Sequence, residues 1–463
     1  MVQTALILAY HEEHVPSSRK PIALTRLYGV SLIKRILFTL REVGIRKFIV
    51  VLGYQGSAIK REIEKDSSLT GSIEWIDNPH WDRGDGYAVS LAVPFLQEPF
   101  LVIPCNLIFR APLVERLLDR ARSDRPCHLL VDTRVHQRSM ISHVARVQIQ
   151  NGLLRAIGED VEPFNALSTG IYRLTPAFFP VLHANIRQGK DQLSDTVQTL
   201  ADSGAVGAID VGDASWQPIR SPRDRRCAEK LLLGGLGKPT DGPIARAFNR
   251  RVSIFLSSYL ARTPIKPDHL TFITLVVGLT GSWYATYGTY RDFLIGAILF
   301  KMASILDGCD GEIARLKYMV SSYGQWLDTI SDNVICIAAL VGITIGIHRG
   351  EYSPIYRLSS YGAMVFGLLS FLMLYLYLLR KGKDGVFYAV DYAFKYKQDP
   401  LHRLFRRLSL FGRRDVIATV ALALAVLGLT PLMMIYLALL TLGMFIFSVQ
   451  ANLVKREAQI NRS

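Results

Sequence analysis

The sequence predicts an α/β doubly wound domain followed by an all-α, six-span integral membrane domain, and three observations predict it. Up to about residue 240, short apolar runs alternate with segments of helical periodicity. From about residue 268, apolar stretches of membrane-spanning length take over. The Lys and Arg residues gather beside those stretches, mostly on one side of them. The chain has 463 residues, 50% of them hydrophobic, and a net charge of +15. That length exceeds one ordinary domain. The boundaries read as a domain over 1–233, a linker over 234–242, an interfacial amphipathic helix over 243–262 and the membrane domain over 263–463.

In the first half, TALILAY (4–10) is an apolar, strand-like run. Residues 30–43 repeat with a helical period, and KFIVVLGY (47–54) is a second buried strand. EPFLVIPC (98–105) is another, followed by a helix over 112–122. Alternation of this kind argues a mostly parallel sheet. The run Thr4–Tyr10 is too short and lacks the basic flank of a signal peptide. Cys105, Cys127, Cys227, Cys309 and Cys336 lie far apart with no C-x-x-C pair. A disulfide or zinc framework is not expected, and a reducing cytoplasm fits.

The stretch Gly234–Gly242 combines Gly, Lys, Pro and Asp as linkers do. Next, PIARAFNRRVSIFLSSYLAR (243–262) opens on a proline suited to a first helical position. Its arginines, Arg246, Arg250 and Arg251, are expected to face headgroups while Ile254, Phe255 and Leu256 dip into the bilayer. Six spans follow, at about 268–288, 292–313, 324–347, 358–379, 413–430 and 431–452. The loop from Arg380 to Arg414 is rich in Lys and Arg, and Arg315, Lys317, Lys455 and Arg456 fall on its side. The N-terminal domain and both termini are therefore expected in the cytoplasm. The basic excess is read as membrane anchoring and attraction to anionic lipid, since no aromatic-basic module for nucleic acid is present.

Spans two and three hold four carboxylates, Asp307, Asp310, Asp328 and Asp332. A carboxylate inside a bilayer costs several kcal/mol unless paired, solvated or metal-bound. Spacings of three and four put each pair on one helix face. Two facing helices would gather all four, and such a cluster is stable around divalent cations, with hard oxygen ligands suiting Mg²⁺ or Mn²⁺. From the aspartates alone, neutralisation by Arg315 and Lys317 at a membrane edge, or a proton or cation relay in a transporter, explains them equally well.

Residues 307–332 read DGCDGEIARLKYMVSSYGQWLDTISD and fit D-x2-D-G-x2-A-R-x8-G-x3-D-x3-D at every fixed position. The pattern resembles the signature of the CDP-alcohol phosphotransferases, a family of six-span membrane enzymes, over about residues 243–455. The resemblance implies a donor CDP-alcohol, an acceptor alcohol, and a pyrophosphate clamped by two divalent ions. It makes Asp307, Asp310, Asp328 and Asp332 metal ligands, with Asp332 also the general base on the acceptor hydroxyl. Gly311, Ala314 and Gly324 leave room for the nucleotide, and Arg315 can pair with phosphate. Where the family opens its first span with Pro-Asn-x-x-Thr, this chain has Pro267-Asp268-His269-Leu270-Thr271, which keeps Thr271 on the nucleotide side but replaces Asn by Asp268. Arg413, Arg414, Lys381 and Lys383 border spans four and five, where a basic pocket would hold the phosphate of a polar acceptor; positive-inside anchoring explains the same residues. A homodimer is implied.

The first 230 residues resemble the sugar-phosphate nucleotidyltransferases, through Lys20-Pro21, GVSLIKRILFTLREVGIRKFIVVLGY (29–54), NPHWDRGDGY (78–87) and STGIYRLTPAFF (168–179). The fusion resembles the bifunctional inositol-1-phosphate cytidylyltransferase/di-myo-inositol-phosphate phosphate synthase family. Three departures point to a non-catalytic first domain. AYHEEHVPSSRKP (9–21) has no glycine where a Gly-rich phosphate loop belongs. Cys105 replaces a metal-binding Asp, and Arg220, within WQPIRSPRD, replaces a second metal carboxylate. Such a domain could bind a ligand through Lys20, Gly84 and Gly86, dock a separate cytidylyltransferase, or stabilise a dimer. The leading expectation is a phosphotransferase using CDP-inositol or a related polyol and a polyol phosphate. The alternatives are a phospholipid synthase using CDP-diacylglycerol, a bifunctional enzyme that also makes its CDP-alcohol, and a non-enzymatic membrane sensor or transporter.

Overall fold

The structure, a computed structural model, describes residues 2–9, 21–121, 125–135, 144–237, 248–381 and 411–460. Lys20 and the rest of the loop expected to cradle phosphate, Arg246 and Lys383 lie outside the described residues. The chain divides into two compact units, Met1–Gly235 and Leu236–Ser463.

The first unit is built on strands β1 (Thr4–Ala9), β2 (Arg26–Leu27), β3 (Val30–Ser31), β4 (Lys47–Leu52), β5 (Ile73–Asp77), β6 (Phe100–Pro104) and β7 (Leu107–Phe109). The later strands are β8 (Cys127–Asp132), β9 (Arg146–Gln150), β10 (Leu153–Gly158), β11 (Ala166–Leu174), β12 (Val206–Asp210) and β13 (Trp216–Pro218). Helices α1 (Leu32–Glu42), α2 (Gly56–Glu64), α3 (Asp85–Leu91), α4 (Ala111–Arg120), α5 (Phe179–Arg187), α6 (Leu193–Asp202) and α7 (Pro222–Gly234) connect them. Nine strands form one sheet in the order β5-β4-β1-β6-β11-β8-β12-β10-β9.

The sheet departs from the mostly parallel expectation. β5, β4, β1 and β6 are parallel, as the apolar runs with intervening helices predict. β11 then runs antiparallel to both β6 and β8, and β10 antiparallel to β9 and β12. β9 and β10 are joined by the tight Asn151-Gly152 turn, both residues at positive φ, and a two-residue turn can only return the chain antiparallel. The strands β1, β4 and β6 are buried on both faces, with a hydrophobic cluster on each side of the sheet. That explains their continuous apolar runs.

The second unit is helical: α8 (Arg250–Leu260), α9 (Pro267–Ala285), α10 (Tyr290–Lys317), α11 (Ser322–Arg349), α12 (Pro354–Lys381), α13 (Arg414–Val426) and α14 (Leu432–Ile460). Pro267 opens α9 and Asp268 complements its first turn. The α10–α11 connection is short. Tyr318 ends α10 in the left-handed region at φ 57°, and the Ser321 hydroxyl caps α11 by accepting from Gly324 N. This hairpin sets the carboxylate-bearing turns of α10 and α11 side by side. Among the described residues, α11 and residues 354–373 of α12 are long and apolar enough to cross a membrane. α10 is also 28 residues long, but Lys301, Asp307, Asp310, Glu312, Arg315 and Lys317 dilute its apolarity.

Glycines allow close helix packing. A Cβ on Gly342 would lie 2.2 Å from the Ser282 carbonyl oxygen, and one on Gly346 2.1 Å from that of Ala285. α11 therefore rests on α9 through backbone contact, four residues apart, as small-residue spacing permits.

One residue of α8 departs from the expectation. Arg250 turns inward rather than toward headgroups, its Nη1 donating to Glu312 Oε1 at 2.7 Å. The helix buries its polar face, Ser253 and Ser257, and exposes Phe255 and Tyr259, while Arg251 stays outside. The physical reason is Glu312, a carboxylate wholly withdrawn from solvent that accepts from Arg250, Ser253 and Ser257.

Candidate active site

Asp307 sits on α10, and Asp328 and Asp332 sit one turn apart on α11. One carboxylate oxygen from each lies within 4.8 Å of the other two. All three are partly buried. Like charges this close are stable only with a cation among them, and the oxygen-only donor set fits a hard divalent ion. From the first turn of α13, the guanidinium of Arg414 reaches two of the same carboxylates. Its Nη1 donates to Asp307 Oδ1 at 3.0 Å and also to Asp332 Oδ1.

Asp310 stands outside this group. Its Oδ2 accepts from Thr271 Oγ1 at 2.6 Å and its Oδ1 from the Gly311 amide. Thr271 is thus brought to the expected side of the site, with its hydroxyl spent on orienting a carboxylate. Asp268 Oδ1 lies beside Gly324, 3.6 Å from where a Cβ would be. Gly311 is overhung by its i+4 neighbour Arg315, whose Nη1 would stand 3.3 Å from a Cβ there. Arg315 also donates to the Leu236 carbonyl at 3.1 Å. Ala314 is half-buried on the same helix. Arg413 caps α13 and pairs with Asp415, Nε to Oδ1 at 3.4 Å. Of the basic residues proposed around an acceptor, Arg414 meets the carboxylates; the Lys381 side chain and Lys383 are outside the described residues.

Two charged residues of the site's surroundings escaped the sequence reading. Glu312 accepts from Arg250, from Ser253 Oγ at 2.7 Å and from Ser257 Oγ at 2.8 Å. It holds α8 against the back of the turn that carries Asp310. Lys301 is buried and donates to Asn249 Oδ1 at 2.8 Å and Thr419 Oγ1 at 2.7 Å, tying α10 to α13 and to the start of α8. The available signal was the repeat of Arg250, Ser253 and Ser257 at one helical face, which is the wrong face for an ordinary surface helix.

In the first unit, the positions expected to serve catalysis are otherwise engaged. Cys105 follows β6 and is fully enclosed, and burial pushes its thiol up to about 12. A neutral thiol of that kind is no ligand for Mg²⁺. The segment around Arg220 forms β13 and the start of α7, where Ser221 and Asp224 make a reciprocal cap. Gly84 and Gly86 admit the backbone of Asp191 and Gln192: a Cβ would meet the Asp191 carbonyl oxygen at 2.4 and 2.7 Å respectively. Arg83 grips the Asp191 carboxylate with two hydrogen bonds of 2.8 Å. Both glycines are therefore needed for packing.

Residues 265–397 match the family described as CDP-alcohol phosphatidyltransferase, which covers α9 to α12 and every fixed position of the α10–α11 motif. The matched residues form a CDP-alcohol phosphotransferase domain. An enzyme of this class moves a phospho-alcohol group from a CDP-alcohol to an acceptor hydroxyl and releases CMP. Residues 19–169, within the α/β unit, match the MobA-like NTP transferase domain family. The chain is 29% identical to the bifunctional IPC transferase and DIPP synthase of Rubrobacter xylanophilus, over 74% of this chain and 77% of the relative. It is 25% identical to the protein of the same description from Aquifex aeolicus, over 95% of this chain and 96% of the relative. The inositol-1-phosphate CTP transferase of T. maritima superposes with a TM-score of 0.44 at 19% identity, covering 50% of this chain and 96% of that one.

Proposed function

We propose that the phosphotransferase is a six-span enzyme of the cytoplasmic membrane that takes CDP-inositol or a related CDP-polyol as donor and a polyol phosphate as acceptor. The convergence of Asp307, Asp328 and Asp332 with Arg414 carries the reading, because it joins a cation site to an anion-binding side chain. The names of the two relatives support an inositol-type donor. Exposed apolar side chains along α9 and α12, such as Phe272, Trp283, Leu358 and Leu368, support embedding in lipid or in a homodimer.

Asp307, Asp328 and Asp332, with Asp310 beside them, would hold Mg²⁺ or Mn²⁺. Two such ions supply charge stabilisation for the pyrophosphate and the departing CMP. Asp332 takes the proton of the acceptor hydroxyl, whose oxygen then bonds the phosphorus bearing the donor alcohol as the bond to CMP breaks. Gly311 and Gly324 let the nucleotide approach backbone, and Arg315 pairs with its phosphate. Arg413 and Arg414 receive the acceptor's phosphate. The first domain is non-catalytic and relies on a separate cytidylyltransferase, since Cys105 and Arg220 stand where metal carboxylates are needed.

Metal-dependent CMP release by the detergent-solubilised protein tests this reading, with CDP-inositol and CDP-diacylglycerol compared across polyol phosphates. Release from CDP-inositol is expected. Release from CDP-diacylglycerol alone would instead make it a phospholipid synthase. Asp332→Asn should slow turnover by at least about 100-fold while leaving CDP-alcohol binding in place. A sensor or transporter would release no CMP with either donor.

A further inference from the structure

Arg414 occupies the carboxylates that a divalent ion needs. Its Nη1 bridges Asp307 and Asp332, two of the three residues whose oxygens converge. A guanidinium has donors only and no lone pair for a metal. Guanidinium and divalent ion therefore compete for the negative charge of the same two carboxylates. The bridge also leaves Arg414 incomplete: among the described residues, its buried Nε and Nη2 have no hydrogen-bond partner. Buried donors left without a partner are unfavourable, so among the described residues this arrangement is held by the carboxylates. Nε and Nη2 together form one edge of the planar fork, the edge that matches two oxygens of a phosphate.

We propose that Arg414 is the internal counter-ion of the metal-free carboxylate group, and that a divalent ion, by taking Asp307 and Asp332, frees the guanidinium to hold the acceptor's phosphate. The inference rests on the acceptor reading given above and adds an order to it: metal first, phosphate second. Metal-free enzyme avoids an uncompensated carboxylate cluster, and it binds phosphate poorly because its arginine is engaged. Metal and phosphate then favour each other's binding, and linkage makes the effect equal in both directions.

The test is a Mn²⁺ titration of the full-length, detergent-solubilised protein, followed by electron paramagnetic resonance without any CDP-alcohol. Inorganic phosphate serves as the anion probe. Wild type, Arg414→Gln and Arg414→Lys are compared, with gel filtration and thermal unfolding in chelator confirming that each is folded. Arg414→Gln should bind Mn²⁺ about tenfold more tightly, since it removes the rival cation. Phosphate should tighten Mn²⁺ binding severalfold in wild type and leave Arg414→Gln unmoved. Arg414→Lys, with charge but no fork, should retain weak Mn²⁺ binding and respond little to phosphate. Mn²⁺ affinity that falls or stays constant in Arg414→Gln would overturn the counter-ion role. A phosphate response preserved in Arg414→Gln would overturn the hand-over. Either result alongside normal CMP release by wild type would reject this inference alone and leave the phosphotransferase reading standing.

Discussion

Glu312 is a carboxylate with no solvent access, held by Arg250, Ser253 and Ser257 from a single face of α8. Removing one member of a buried charge pair strands the other, at about 3–5 kcal/mol. Glu312→Ala should therefore lower the thermal unfolding temperature of the second unit sharply. Glu312→Gln keeps the shape and the serine contacts and should cost less. Equal losses for the two would show that the charge pair with Arg250 carries the whole effect, and no loss in Glu312→Gln would show that it contributes nothing. In the first unit, Asp132 is fully buried. Burial works to raise its carboxyl, but hydrogen bonds from Arg134 and from Trp216 Nε1 outweigh that and hold it below the usual aspartate range. A depressed folded value stabilises the fold above the unfolded pKa of about 3.9 and is lost as pH falls through the folded one. Hydrogen exchange in β8 and β13 should thus accelerate below about pH 4, and Asp132→Asn should show faster exchange already at neutral pH. The residue identities at 307, 310, 328 and 332 were legible because acidic side chains in apolar helices are conspicuous. The partners of Glu312 and Lys301 were not, because a polar residue in sequence does not say which neighbouring helix will satisfy it.

At the scale of elements, α11 lies on α9 through Gly342 and Gly346, with backbone where side chains would otherwise be. Replacing either glycine by leucine should push α11 off α9. Asp328 and Asp332 ride on α11, and Thr271, which orients Asp310, rides on α9. Loss of metal-dependent CMP release by roughly 10- to 100-fold is expected, since a 1 Å misplacement can cost that much. Alanine at Gly362, which meets nothing within 4 Å of a would-be Cβ, is the matched control and should leave release unchanged. Strand positions in the first unit followed the apolar runs closely: β1, β4 and β6 begin and end within two residues of the sequence expectation. Strand direction did not follow, because direction is set by what joins the strands. In helix α8 the direction of Arg250 was missed, because an arginine on an amphipathic helix looks the same whether it meets a headgroup or Glu312.

For the whole molecule, the two units carry different prospects. Given CTP and a polyol phosphate, the full-length protein should release no pyrophosphate, while CDP-polyol plus acceptor still yields CMP. Pyrophosphate release would show that the first unit works without an aspartate at Cys105 and would make the enzyme bifunctional, as its relatives are described. The sequence alone determined the two-part organisation, the α/β character of the first part, the reaction class of the second and the four aspartates. The organisation and the positions of the aspartates are written in local features, namely period, apolarity and spacing, and the reaction class came through the resemblance of residues 307–332 to a family signature; neither needs knowledge of what lies across the fold. The tertiary structure alone decided that β11 reverses the sheet, that Glu312 draws α8 inward, and that Asp310 is bound to Thr271. It also decided that Arg414 stands among the carboxylates. These depend on which buried charge reaches which partner, and a residue 107 positions away in the chain can be the one that does.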